Sequence, residues 1–127
     1  MQKTAPDIMR MIQNQGIQMV DFKMVDINGQ FRHVTIPAQH FSEETMVNGI
    51  GFDASNYGYA VVEKSDMVFV PDPDTAVVDP FCDVPTLSMT GNAMVIGYPE
   101  NRPLDQYPRN IVLAAERYMR DTGVADT

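Results

Sequence analysis

The residues best suited to chemistry fall in one stretch, Gly49 to Tyr59, which reads Gly-Ile-Gly-Phe-Asp-Ala-Ser-Asn-Tyr-Gly-Tyr. Its glycines and Asn56 tolerate positive φ, so the stretch reads as a turn-rich loop. Asp53 is its one charge, and Phe52, Tyr57 and Tyr59 can anchor it while its polar groups face a ligand. Local chemistry alone favours a structural role, an Asx-turn in which the Asp53 carboxylate accepts the N–H of Ser55. Asp66, Asp72 and Asp74 could suggest a metal. Pro71 and Pro73 hold two of these in extended or turn geometry, however, and no Gly-centred calcium-loop spacing follows, so a solvated turn is expected. His33 is expected to be a packed, hydrogen-bonded core residue rather than a ligand. Cys82 has no His near it in sequence and is expected to be a buried or half-buried thiol rather than a nucleophile.

The elements that position these groups follow from periodicity and turn chemistry. Residues 5–15 read as a helix capped by Thr4 or Ala5, with Pro6 and Asp7 in the first turn, an apolar face of Ile8, Met11 and Ile12, and Gly16 at its end. Ile17 to Ala38 reads as a hairpin. Val20, Phe22 and Met24 alternate with Asp21 and Lys23, Asn28-Gly29 predicts a type I′ turn, and the return strand Phe31 to Ile36 stops at Pro37. That turn sets His33 opposite Met24, on the face of Phe31. Phe41 to Asn48 reads as a short helix with Ser42 as N-cap, a Phe41–Met46 staple and Gly49 at its end. Val61 to Lys64 follows the loop. Strands are expected at Met67–Val70, Thr75–Val78, Thr86–Met89 and Ala93–Ile96, the last two around a Gly91-Asn92 turn. Pro108 starts a final helix with a buried stripe of Ile111, Ala115, Tyr118 and Met119, a solvated face of Arg109, Arg117 and Arg120, and Gly123 at its C-terminus. Val124 to Thr127 reads as the start of a connection. The sum is an α+β domain with a mostly antiparallel or mixed sheet.

Composition narrows the function classes. The chain has 127 residues, one domain's worth, and its 44% hydrophobic content is too high for disorder. Net charge is −8 and the nine basic residues are scattered, which argues against a nucleic-acid partner. No apolar run approaches the roughly 20 residues that span a bilayer. No basic-then-apolar secretory signal is visible, and the lone Cys82 fits a reducing compartment, so a cytoplasmic location is expected. Ten Met residues suggest adaptable packing or an interface.

Seven stretches, in order, carry a family resemblance. They are Val20-Asp21-Phe22; His33-Val34-Thr35-Ile36-Pro37; Gly51-Phe52-Asp53 with Ser55; Ser65-Asp66-Met67; Pro71-Asp72-Pro73-Asp74-Thr75-Ala76; Asp79-Pro80-Phe81; and Pro108-Arg109-Asn110 through Thr122-Gly123-Val124-Ala125-Asp126-Thr127. Together the chain resembles the amino-terminal domain of glutamine synthetase of the bacterial and archaeal type. The resemblance implies a β-grasp fold, a small mixed sheet embracing a helix. It also implies a longer enzyme, whose catalytic domain after Thr127 supplies the metal ligands, the ATP site and the glutamate site. No cofactor site is expected in residues 1–127; ATP and Mg²⁺ or Mn²⁺ are implied for the full-length enzyme.

The family makes glutamine from glutamate, ammonia and ATP through a γ-glutamyl phosphate, in active sites between neighbouring subunits of a ring-shaped homo-oligomer. The resemblance implies that Phe52-Asp53-Ala54-Ser55 is the loop lent to the next subunit's site. Asp53, with Ser55 beside it, then helps bind ammonium, and Asp53 removes its proton. A carboxylate suits that role because it attracts a cation and can then accept a proton. The sequence departs from the family's usual Asp-Gly-Ser-Ser: it has Asp53-Ala54-Ser55-Asn56 and is one residue shorter before Ser65. Ala54 takes positive φ less easily than Gly, which bears on how the loop sits. Two other readings stand beside this one: a relative joining glutamate to another amine, and a stand-alone β-grasp interaction module.

Overall fold

Thr4 opens the first helix, α1 (Ala5–Asn14). The Thr4 hydroxyl accepts the N–H of Asp7, and the Asp7 carboxylate accepts the N–H of Thr4 (2.7 Å), a capping box that satisfies two end-of-helix donors. Ile8 and Ile12 are buried and Met11 is half-buried. The structure, a computed structural model, describes residues 2–60, 66–97 and 100–124. The expected segment Val61 to Lys64, with Ser65, and the closing Ala125-Asp126-Thr127 lie outside the described residues.

Strands β1 (Met19–Val25) and β2 (Phe31–Pro37) form the expected antiparallel hairpin, but with a different turn. Asp26 N–H donates to the Gln30 carbonyl (2.8 Å) and Gly29 N–H to the Asp26 carbonyl (3.0 Å). Gly29 has φ 83° whereas Asn28 is not in the positive region, so this is a three-residue loop with a glycine bulge, not a type I′ turn. The extra residue shifts the register by one: His33 faces Lys23, and Met24 faces Arg32. His33 therefore lies on the outer face and is exposed, not packed in the core.

Ser42 caps α2 (Glu43–Asn48), and Phe41 and Met46 are both buried, as a hydrophobic staple requires. Gly49, φ 75°, turns the chain into β3 (Ile50–Asp53). A Cβ on Gly49 would lie 2.3 Å from the Phe69 carbonyl oxygen, so this position needs glycine on two counts. Strand β4 (Asp66–Pro71) pairs antiparallel with β3.

The expected Gly91-Asn92 turn is absent. Thr86–Val95 is one strand, β6, at the centre of the sheet order β2-β1-β6-β4-β3. Its first half pairs parallel with β1 and antiparallel with the short β5 (Val77–Val78). Its second half pairs with β4 and with β7 (Arg102–Pro103). Gly91 lies at the handover. A Cβ there would be 2.2 Å from the Val70 carbonyl oxygen and 2.7 Å from Pro71 Cα. The glycine marks a close backbone approach, not a turn. Thr75, expected in a strand, closes a 3₁₀ turn over Pro73–Thr75 instead.

The last helix, α3 (Pro108–Thr122), begins at Pro108 and ends at Gly123 (φ 69°) as expected. Its stripe is not buried: Ile111 and Tyr118 are exposed, Ala115 is exposed, and Met119 is only half-buried. The amphipathic pattern is present, but the apolar face has no partner among the described residues. Arg109 is not solvated either. It is half-buried and donates to Asp72 (2.6 Å) and Asn92 (2.5 Å), tying α3 to the sheet. The core lies between the sheet and the helices α1 and α2, with Phe22 against both Phe41 and Phe69. The α+β, mixed-sheet expectation holds. No helix among the described residues is long and apolar enough to cross a membrane.

Candidate functional site

Asp53 is the last residue of β3, the edge strand of the sheet. It caps a 3₁₀ turn over Ala54–Tyr57, and its side chain is exposed at the surface. Its Oδ1 accepts the N–H of Ser55 (2.9 Å) and the Ser55 hydroxyl (2.7 Å). The Asx-turn read from the sequence is thus present, and it brings Asp53 and Ser55 together. Two acceptor bonds on one oxygen fix the carboxylate's orientation.

The loop behind Asp53 is anchored in the core. Ala54 is fully buried and has no positive φ, so the backbone here does not require a glycine. The φ-positive position is Gly58 (79°), which ends the 3₁₀ turn. An aromatic ladder supports the loop: Phe52 meets Tyr57 edge-on (5.5 Å), Tyr57 stacks on Tyr59 (5.9 Å), and Tyr59 meets the buried Tyr107 edge-on (5.6 Å). Burial pushes the phenols of Tyr57, Tyr59 and Tyr107 up, so all three stay neutral near pH 7. Tyr59 Oη is buried with no hydrogen-bond partner among the described residues.

One pairing was not read from the sequence. Asp66 opens β4 directly opposite Asp53 in the β3–β4 register. Two carboxylates so placed disfavour pairing at the strand end and attract a cation. Only the register could reveal this, because the residues are thirteen apart in the chain.

The other candidates have different places. Asp72 Oδ1 accepts the N–H of Asp74 (3.0 Å), Asp72 Oδ2 takes Arg109, and Asp74 accepts the N–H of Lys3 (2.6 Å). The expected turn is present and Asp74 is exposed, but Asp72 is half-buried and tied to Arg109 rather than solvated. Among the described residues, no three His, Cys, Asp or Glu side chains could hold a metal ion.

His33 Nδ1 lies 2.7 Å from Oδ1 of the buried Asp21, which also accepts from the Thr35 hydroxyl (2.7 Å). Cys82 is exposed, against expectation, in the loop between β5 and β6. It lines a shallow groove with Lys23, Phe31, His33 and Phe81, and Asp53 is not among the groove's lining residues. At the groove's floor, buried Asp79 accepts from Lys23 Nζ (2.7 Å), Ser88 Oγ (2.9 Å) and Phe81 N–H (3.0 Å). The Lys23 ammonium and these donors hold the Asp79 carboxyl down at about 2, and Asp79 pushes Lys23 up in return.

Known proteins share this architecture. Residues 16–95 match the family model of the glutamine synthetase β-grasp domain. The chain is 41% identical over 127 residues to glutamine synthetase of Frankia alni, covering 97% of this chain and 26% of that protein. It is 35% identical over 128 residues to 3-hydroxylaminophenol mutase of Cupriavidus pinatubonensis, covering 100% of this chain and 27% of that protein. A solved structure of a GmaS/ADP complex superimposes with a TM-score of 0.79 over 96% of this chain and 26% of that one, at 20% identity, which shows the fold. The chain spans about a quarter of the length of the curated relatives it matches.

Proposed function

This chain belongs to the glutamine synthetase family through its β-grasp domain, and on that premise we propose that it is the amino-terminal domain of an ATP-dependent glutamate–ammonia ligase that presents Asp53 to a neighbouring subunit's active site. The observation that carries the reading is the presentation of Asp53. Its carboxylate is exposed at the end of an edge strand, oriented by Ser55, on a loop whose next residue is buried. A site meant to act on something outside the domain needs that combination of outward exposure and inward anchoring.

In this reading Asp53 draws ammonium, with Asp66 across the register adding negative charge, and takes one proton from it. The ammonia so formed attacks the γ-carbonyl of γ-glutamyl phosphate. As the C–N bond forms, the C–O bond to phosphate breaks and phosphate leaves, a further proton being lost from the nitrogen. Ser55 holds the carboxylate's direction. ATP activates the γ-carboxyl, and with its Mg²⁺ or Mn²⁺ it is held by residues outside this stretch, in a neighbouring subunit of a ring-shaped homo-oligomer. The domain's own contribution is the orientation and charge of one loop.

The test is phosphate release by the full-length protein given glutamate, ammonium, ATP and Mg²⁺, beside the isolated chain under the same conditions. Ammonium-dependent turnover is expected from the full-length protein and none above background from the chain alone. Turnover with an organic amine but not ammonium would move the assignment to a relative with another amine. The similarity to a relative named as a mutase favours one further arm. Conversion of 3-hydroxylaminophenol, with no ATP-dependent phosphate release, would replace the ligase reading.

A further inference from the structure

The Asp53 loop is braced from an element that does not pair with its own strand. In the sheet, β1 and β2 are separated from β4 and β3 by β6. The tip of the β1–β2 hairpin nevertheless reaches the loop. Ile27 N–H donates to the Tyr57 carbonyl (3.1 Å), and Ile27 Cγ2 lies only 2.4 Å from where a Cβ on Gly58 would be. Gly58 also has φ 79°, so the contact is built on a residue without a side chain.

The tip that makes this contact is rigid for a stated reason. Asp26 is 2% exposed. Its Oδ1 accepts from the N–H groups of Asn28 and Gln30 (both 2.9 Å), and its Oδ2 accepts from Arg32 Nε (3.0 Å). The backbone donors of the turn, with Arg32, hold the Asp26 carboxyl below its ordinary range. Tyr57, gripped by Ile27, is the ring that meets Phe52, and Phe52 immediately precedes Asp53. A continuous path of contacts therefore runs from Asp26 through Ile27 and Tyr57 to the backbone that carries the carboxylate.

We propose that Asp26, Ile27 and Gly58 are positioning residues for Asp53, the hairpin tip setting where the carboxylate points. This rests on the reading that Asp53 acts in the ligase reaction. The experiment uses the full-length protein with Ile27→Ala, Gly58→Ala and Asp53→Asn, and each of the first two combined with Asp53→Asn. It reads kcat, the KM for ammonium, glutamate and ATP, and thermal unfolding. Misplacing a reacting group by about 1 Å costs on the order of 100-fold. Gly58→Ala is therefore expected to lower kcat about 10- to 100-fold and raise the ammonium KM, with the ATP KM unchanged. Ile27→Ala removes a half-exposed side chain, so it should fold even if Gly58→Ala does not, and it should lower kcat several-fold.

In the Asp53→Asn background both substitutions should cost less than about 2-fold more, because the group they position is gone. Full multiplication of the effects in that background, or parent-like kinetics for Ile27→Ala, would overturn the proposal. Parent-like kinetics for Asp53→Asn alone would instead sink the underlying reading, and the two failures are told apart by that single variant.

Discussion

The Asp53 loop and the Asp72 turn begin from the same local chemistry and end in opposite places. In each, an aspartate caps a 3₁₀ turn and its Oδ1 accepts the N–H two residues on, at 2.9 Å in one and 3.0 Å in the other. Asp72 is half-buried, and Arg109 from α3 closes on its second oxygen. Asp53 stands exposed at the end of the edge strand. Asp26 and Asp79 repeat the i to i+2 bond, and each takes a basic side chain as well, Arg32 and Lys23 respectively. The turn therefore does not decide what an aspartate is for. What separates these aspartates is burial: Asp53 is exposed, Asp72 is half-buried, and Asp26 and Asp79 are buried.

The sharpest way to break the comparison is to make the same change at both positions of the full-length protein. Asp53→Asn keeps the Asx-turn but loses the charge and the proton acceptor. Its turnover should fall by about 10²–10⁴, the usual cost of losing a general base, while its melting temperature stays near that of the parent. Asp72→Asn should do the reverse. Turnover should stay near normal, and denaturant unfolding should show a loss of about 1–3 kcal/mol, because Arg109 is left half-buried without its anion. An active Asp53→Asn enzyme, or an inactive but stable Asp72→Asn enzyme, would erase the distinction.

Why the sequence showed the first region and not the second is a matter of range. The Ser55 bond to Asp53 is two residues long and was readable, as were the caps at Thr4, Ser42, Gly49 and Gly123 and the buried alternation of Val20, Phe22 and Met24. Arg109 and Asp72 are 37 residues apart, so the basic residue read as part of a solvated face. The hairpin turn shows how little is needed to mislead. One additional turn residue moved His33 from opposite Met24 to opposite Lys23, and so from the core to the surface. Gly91-Asn92 carries the local signature of a turn. Only the proximity of Val70 and Pro71 shows that the glycine serves a crossing. In α3 the expected buried stripe of Ile111, Ala115 and Tyr118 is exposed and the residues tied to the sheet are Arg109 and Asn110, because periodicity does not say which face meets the rest of the domain.

A smaller effect tests one of the tied carboxylates by pH. Asp79 has its folded value lowered from an ordinary 3.8 to about 2. Its contribution to stability is therefore complete above about pH 4 and is lost as pH falls toward 2. Lys23 is shifted up, so its contribution is present below its ordinary range and fades only as pH rises through its folded value. Unfolding midpoints measured from pH 5 down to 2 should fall in the parent. The slope should be visibly flatter in Asp79→Asn. Equal slopes for the parent and Asp79→Asn would show that the Asp79–Lys23 pair is not what acid attacks.

The smallest effect is expected beneath the loop. Tyr59 Oη is buried without a hydrogen-bond partner among the described residues, so Tyr59→Phe removes a desolvated hydroxyl and keeps the ring contacts with Tyr57 and Tyr107. Stability should be unchanged or should rise by up to about 1 kcal/mol, and a loss of more than that amount in denaturant unfolding would reveal a bond to the hydroxyl.

The central position of β6 governs how the chain comes to be folded at all. Met19 of β1 pairs with Thr86, and Met67 of β4 pairs with Val95, so both halves of the sheet close on the same late segment. As the polypeptide leaves the ribosome, the β1–β2 hairpin can form early, but it has no strand to join until residues 86–95 emerge. Long-range parallel pairing of this kind is slow because loop closure precedes its reward. During that interval the β1 edge that β6 will occupy has unpaired backbone donors and acceptors, the condition under which nascent chains associate wrongly. A strand that joins both halves of the sheet late is also the strand whose delay leaves their edges unpaired.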